Sequence, residues 1–208
     1  MSVWALVPVK SRHLAKRRLC RALAPSQRVQ LTETMLRALL TALSQVRGLA
    51  GVAVVTPEAL DLDPGPRLIA DPGGGLNAAL ARGIRVLTDA GATGVVVLPA
   101  DIPFATAAEI ECLLAAGRDS PVVVVPDRGG TGTNALWLAP PTGLAPAFGP
   151  DSFQRHLRLA EECGLAARAL PLPGIGFDID TPADLAHLQA RTAAHAADGV
   201  SDAMVAAE

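Results

Sequence analysis

Short runs of consecutive apolar residues alternate along this chain with longer stretches in which apolar positions recur every three or four residues. The runs at 4–9, 51–56, 67–70, 94–99, 121–126, 135–138 and 176–179 predict strands. Several, such as Val122-Val123-Val124-Val125, show no polar alternation. That is the pattern of strands covered on both faces, as in a mostly parallel sheet between helices. Helices are expected over 25–46, 76–88 and 152–163, with two more opening at Thr106 and Thr181. In the first, Val29, Leu36, Leu40 and Leu43 share one face. Thr106 and Glu109 have the spacing of a capping box. Thr181-Pro182-Ala183-Asp184 combines a Thr cap, a proline in the first turn and an acid at the third position.

The order β-α-β-β-α-β-α-β predicts one three-layer α/β/α domain over residues 1–190, doubly wound on a mostly parallel mixed sheet, with a fraying Ala-rich tail at 191–208. Ligands in such folds bind beyond the carboxyl ends of the strands.

Composition narrows the partners. Half of the 208 residues are hydrophobic and 18% are charged, enough for a buried core and too apolar for disorder. A net charge of −2 gives no bulk attraction to nucleic acid or anionic lipid, so any anionic substrate needs a local basic patch. Cys20, Cys112 and Cys163 have neither CxxC nor zinc-finger spacing and are expected to be reduced thiols. The chain enters a strand at Val3 without the pattern of a signal peptide, and its apolar runs are too short to span a bilayer. A cytoplasmic location is the expectation.

Six segments carry candidate chemistry. Residues 10–21 hold Lys10, Arg12, Lys16, Arg17, Arg18 and Arg21 and no acid, directly after the first strand. Such a segment can wrap a triphosphate or be a solvated basic loop. Asp101 follows the apolar run 94–100 and is either a ligand for a hard cation or a turn cap. Asp178 and Asp180 close another run. On a strand, residues two apart project together, and two such carboxylates call for a cation between them, although Asp180 alone could cap the following helix. The turn 127–134, rich in glycine and hydroxyls, can approach an anion or be an ordinary turn. Residues 148–152 and the glycine-rich 71–77 precede helices, where free N–H groups favour phosphate, or they are plain caps. The four histidines show no ligand spacing, and no GxSxG elbow or nucleophile–base pair is present.

Taken in order, VPVK (7–10) with AKRRL (15–19), DPGGGLN (71–77), LPADIP (98–103), PDRGGTGTNAL (126–136), FGPDSF (148–153) and FDIDTPADL (177–185) resemble the CofC/FbiD family of guanylyltransferases of coenzyme F420 biosynthesis. The resemblance spans about residues 3–190. It implies a Rossmann-like nucleotidyltransferase fold of the GT-A kind. The implied reaction joins the GMP part of GTP to a three-carbon phospho-acid with release of pyrophosphate. The acid is phosphoenolpyruvate (favoured), 2-phospho-L-lactate or 3-phospho-D-glycerate. Carried over by motif, Asp101, Asp178 and Asp180 are implied as ligands of Mg2+ (or Mn2+). Thr133, Gly149 and Ser152 are implied as the acceptor-phosphate site. Lys10, Lys16 and Arg18 fall on the triphosphate, Gly74 and Asn77 near the nucleoside, and Lys10, Lys16 and Asp101 carry catalysis. Hand-over of the product to the downstream F420 transferase also follows from the resemblance, and an oligomer stays open. A molybdenum-cofactor or sugar-phosphate nucleotidyltransferase is the rival enzyme, but those usually carry a GGxSxR-type loop where this chain has Pro8-Val9-Lys10-Ser11-Arg12. A non-catalytic sensor of GTP or a phospho-acid is the other alternative. Three aspartates at strand ends weigh against it, because they repel a simple anion.

Overall fold

The computed structural model describes residues 1–11, 16–60, 62, 65–139 and 143–197; Arg12 and the tail beyond residue 197 lie outside them. The strands are β1 (Val3–Pro8), β2 (Leu49–Thr56), β3 (Arg67–Ala70), β4 (Gly94–Val97), β5 (Val122–Pro126), β6 (Thr133–Leu138) and β7 (Ala167–Ala169). The helices are α1 (Pro25–Ser44), α2 (Leu76–Asp89), α3 (Ala107–Asp119), α4 (Ser152–Glu162) and α5 (Pro182–Ala197). The strands form one seven-stranded sheet in the order β3-β2-β1-β4-β6-β5-β7. Only β6 runs antiparallel to its neighbours, β4 and β5. The chain moves outward from β1 to β2 and β3, then crosses back to β4 on the other side of β1. The β1–β4 boundary is therefore the topological switch point, where the carboxyl ends of adjacent strands diverge and leave a crevice.

The uninterrupted apolar runs are explained by burial on both faces. Val3, Ala5, Val7, Val96, Val123, Val125 and Trp137 face one layer, where Leu36, Leu39 and Leu43 of α1 and Ile110, Leu113 and Leu114 of α3 cover them. Leu6, Val95, Val97, Val122, Val124 and Leu136 face the other, against Ala79, Leu80 and Leu87 of α2 and Ala160 of α4. The buried line of α1 is Met35, Leu36, Leu39 and Leu43, so Leu40 and Val29 flank the core instead of centring it. Thr106 and Glu109 form the expected reciprocal cap of α3, with Glu109 N donating to Thr106 Oγ1 at 3.2 Å.

Glycine makes room for the largest core side chain. A Cβ at Gly94 or Gly117 would overlap the indole of Trp137, which is 1% exposed. Gly117→Ala is expected to cost about 1–2 kcal/mol, the clash outweighing alanine's better helix propensity. A urea titration would register this as a lower midpoint, and an unchanged midpoint would mean that the core yields there.

One expectation is corrected. Residues 176–179 form no strand. Gly176 N and Phe177 N bond locally to Leu172 O and Gly174 O, and only Ile179 N reaches across, to Asp101 O at 3.1 Å. Pro171 and Pro173 lie just upstream and donate no ladder bonds. The seventh strand is instead the short, fully exposed β7, parallel to β5. The last helix, α5, runs to Ala197.

Candidate active site

A cavity of about 420 Å³ opens at the switch point, between the carboxyl ends of β1 and β4. Lys10, Lys16, Arg18, Asp101 and Asp180 line its polar side; Leu76, Leu80, Val97 and Phe148 form apolar wall. The size and the mixture suit a small ligand with an anionic end.

Lys16 is the hub. Its Nζ donates to Asp101 Oδ2 at 2.6 Å and to Asp180 Oδ1 at 3.0 Å, and its side chain is only 8% exposed. Burial by itself pulls the ammonium down, but the attraction of Asp101 and Asp180 more than offsets it, and the group ends above the ordinary lysine value. Its backbone sits at φ 49°, a left-handed conformation rare for a residue with a side chain. The chain thus accepts strain where it aims this ammonium. Arg18 adds a bond from Nη1 to Asp180 Oδ2 at 3.1 Å, from a solvent-exposed side chain.

Of the three predicted aspartates, Asp101 and Asp180 meet at Lys16, and Asp178 lies near enough to feel both charges. Asp178 and Asp180 lie on an irregular loop, so strand alternation does not align them. The loop is pinned from both sides. Asn134 Nδ2, at the start of β6, donates to Ile175 O and to Asp178 Oδ1 at 3.1 and 3.2 Å. Asp184 Oδ2 accepts from Asp180 N, Thr181 N and Thr181 Oγ1 at 3.2, 2.8 and 2.8 Å, while its Oδ1 accepts from Arg128 Nη2 at 2.8 Å. Burial would raise the Asp184 carboxyl, yet these donors hold it below the usual carboxylate range. Arg128 also lies over the Phe177 ring at 4.4 Å. Burial pushes the Asp178 carboxyl up; Asn134 opposes this, and repulsion from Asp101 and Asp180 adds to it. Lys16 and Arg18 offset Asp101 and Asp180 directly, and Lys10 adds positive charge at the cavity. Among the described residues no three Asp, Glu, His or Cys side chains stand ready to hold a metal ion.

Thr133, Gly149, Ser152, Gly74 and Asn77 are not part of the lining of this cavity. Thr133 opens β6 next to Asn134 and is 7% exposed. Its Oγ1 is 3.0 Å from Nδ1 of His156, a fully buried residue of α4. Burial, reinforced by Arg155, lowers His156 to about 4 despite the opposing Ser152 carbonyl, so the ring is neutral. Ser152 is buried as the first residue of α4, and Gly149 takes φ 128° in the turn before it. Asp151 occupies the cap position without a side-chain cap bond. The amides of Ser152 and Phe153 are bonded to Gly149 O and Thr131 O, so these two are not free for a phosphate. The 127–132 turn likewise satisfies itself: Asp127 Oδ1 accepts from Thr131 N at 2.9 Å and Asp127 N donates to Gly132 O at 3.0 Å. Gly73, Gly74 and Gly75 all take positive φ and lead into α2. Asn77 spends its amide on main chain, donating to Phe148 O at 3.0 Å and accepting from Phe148 N at 2.8 Å. It clasps the start of α2 to Phe148, and Leu76 and Phe148 both line the cavity. Lys10 lines the cavity and is exposed.

Asn134, His156, Arg128 and Asp184 are contributors that the sequence did not single out. His156 left a trace, because Ser152, His156 and Ala160 repeat every four residues on the buried face of α4. Asp184 reads as the acid in the first turn of a helix and Arg128 as part of a motif, but their pairing, 56 residues apart, leaves no trace.

The switch-point crevice, the single antiparallel β6 and the cation-plus-carboxylate mouth define a nucleotidyltransferase-like α/β enzyme. The fold agrees with solved structures. A protein described as a candidate nucleotide-diphospho-sugar transferase from Desulfovibrio desulfuricans G20 superposes with a TM-score of 0.74 at 20% identity, over 90% of this chain and 87% of that one. A CMP:2-keto-3-deoxy-manno-octonic acid synthetase solved with CTP gives 0.62 at 16%, over 94% and 100%. The chain belongs to the family described as guanylyl transferase CofC like, matched over residues 3–198. It is 42% identical over 197 residues to a phosphoenolpyruvate guanylyltransferase of Conexibacter woesei, covering 89% of this chain and 86% of that one. It is 40% identical to one from Sphaerobacter thermophilus over 205 residues, 97% of each.

Proposed function

We propose that this enzyme transfers GMP from GTP to the phosphate of phosphoenolpyruvate and releases pyrophosphate, within coenzyme F420 biosynthesis. The observation that carries this reading is the switch-point cavity whose mouth gathers Lys16, Asp101 and Asp180, in a chain about 40% identical to relatives of that name. A phosphate oxygen of the acceptor attacks the α-phosphorus of GTP, the bond from that phosphorus to the bridging oxygen breaks, and pyrophosphate leaves with the electron pair. The attacking oxygen is already ionised at neutral pH, so no general base is needed. This is consistent with a site whose one buried histidine is neutral and engaged.

The obstacle is repulsion between two anions. Lys10, Lys16 and Arg18 supply positive charge on the nucleotide side of the cavity, for the α-phosphate and the leaving pyrophosphate. The oxygen-only donor set is of the kind that takes Mg2+ (or Mn2+), which Asp101, Asp178 and Asp180 would hold. Such an ion neutralises phosphate charge and aligns the partners. Lys16 and the ion would compete for the same two carboxylates. Thr133, Gly149 and Ser152 hold the acceptor phosphate in this reading. The Asn77–Phe148 clasp gives Asn77 a positioning role beside the nucleoside, with Gly74 allowing close approach of main chain. The product passes to the downstream transferase of the pathway.

Incubation with GTP, Mg2+ and, in turn, phosphoenolpyruvate, 2-phospho-L-lactate and 3-phospho-D-glycerate tests this, with pyrophosphate and product mass as readouts. Phosphoenolpyruvate is expected to give the fastest release. Release with CTP and no acceptance of GTP, or none with any of the three acids, would overturn the assignment.

A further inference from the structure

We propose that His156 is a positioning residue that turns the Thr133 hydroxyl so that its proton is presented to the acceptor phosphate. This rests on the reading that Thr133 belongs to the acceptor site. The argument begins at the far side of the imidazole. Ala147 N donates to His156 Nε2 at 3.0 Å, so that nitrogen carries a lone pair and no proton. A flipped ring would leave the Ala147 N–H facing a carbon. The neutral ring therefore carries its single proton on Nδ1. Nδ1 faces Thr133 Oγ1 at 3.0 Å, with the Ser152 main chain beside it as a second acceptor; because Nδ1 carries the proton, the hydroxyl can only accept from it. With an incoming donor fixed, the hydroxyl must send its own proton elsewhere, and among the described residues no acceptor takes it. A phosphate oxygen at the mouth of the sheet is the kind of acceptor that geometry awaits.

The ring has little freedom to do otherwise. It is fully buried, and the Phe148 ring packs edge-on against it with centroids 5.1 Å apart. Phe148 is in turn held at both its N–H and C=O by Asn77. The orientation of one hydroxyl at β6 is thus set by a chain of contacts that reaches α2.

The test is a double-mutant cycle of Thr133→Val and His156→Leu, read as separate KM values for phosphoenolpyruvate and GTP. Each single change is expected to raise the acceptor KM about tenfold, the worth of one hydrogen bond to a charged group, and to leave the GTP KM within about twofold. The double variant should be no worse than Thr133→Val alone, because His156 acts through that hydroxyl. His156→Gln, which keeps a donor and an acceptor, should recover most of the loss. Additive effects, or a His156→Leu variant with unchanged acceptor KM, would overturn the role of His156. An unchanged acceptor KM in Thr133→Val would instead overturn the acceptor-site reading itself. Should His156→Leu fail to fold, the cycle is run with His156→Met under the same criteria.

Discussion

Asp101→Asn is expected to lower pyrophosphate release by about a hundredfold or more while the protein stays folded. The side chain follows β4 at the switch point, where Oδ2 meets the Lys16 ammonium at 2.6 Å. Asparagine has the same shape and keeps an oxygen for Lys16 but removes a full negative charge. In the folded state two consequences oppose each other. The attraction to Lys16 weakens, and so does the repulsion that helps to push Asp178 upward. The carboxylate is also 30% exposed, so water screens both. Stability should therefore move by no more than about 1 kcal/mol, a shift of a few degrees in a thermal melt. Turnover has no such compensation, since charge building on the leaving pyrophosphate needs a fixed cationic partner, and Asp101 is one of the groups that would fix it. A variant with a normal melt and turnover within threefold of the parent would remove Asp101 from the mechanism.

How far the sequence was legible depends on whether the information was local. The core strands were readable because burial on both faces leaves continuous apolar runs such as 95–97 and 122–125. The α3 cap was readable because Thr106 and Glu109 lie within one turn. β7 was not, since its three residues are exposed at a sheet edge and leave no hydrophobic signature. The error at 176–179 has the same root. Ile179 is fully buried and reads as strand, but it is buried against Leu19, Met35 and the α5 residues Leu185 and Leu188 rather than in the sheet. The candidate site shows the distinction more sharply. Motif order brought Asp101, Asp178 and Asp180 to notice; in the fold Lys16 joins Asp101 to Asp180, with Asp178 close enough to feel both charges. The groups that position them do so across long separations: Asn134 to Asp178 spans 44 residues, Lys16 to Asp180 spans 164, and neither pairing has a periodic trace. Whether a glycine-rich turn is an anion site or an ordinary turn is not legible, because hydrogen-bond satisfaction cannot be seen in sequence; the 127–132 turn closes on itself through Asp127.

Lys16 offers the second large effect and a way to separate charge from conformation. Lys16→Ala and Lys16→Gly both delete the ammonium that joins Asp101 to Asp180, and both are expected to lower turnover by about a hundredfold or more. They differ in the backbone. At φ 49° alanine keeps the strain of the left-handed region and glycine does not, so the glycine variant should be the more stable of the two by about 1 kcal/mol. Equal turnover with unequal stability would assign the loss to the missing charge. Recovered activity in the glycine variant alone would assign it to the loop conformation and sink the proposed role. Loss of the ammonium also leaves the carboxylates without their resident counter-charge. They are 30% and 40% exposed, so solvent takes up part of the burden and the fold should hold. A divalent cation then meets no competitor. Added Mg2+, without nucleotide, should raise the melting temperature of both variants more than that of the parent, since a ligand stabilises the folded state in proportion to the tightness of its binding. A parent that responds as strongly as the variants would mean that the ammonium and the ion do not share Asp101 and Asp180.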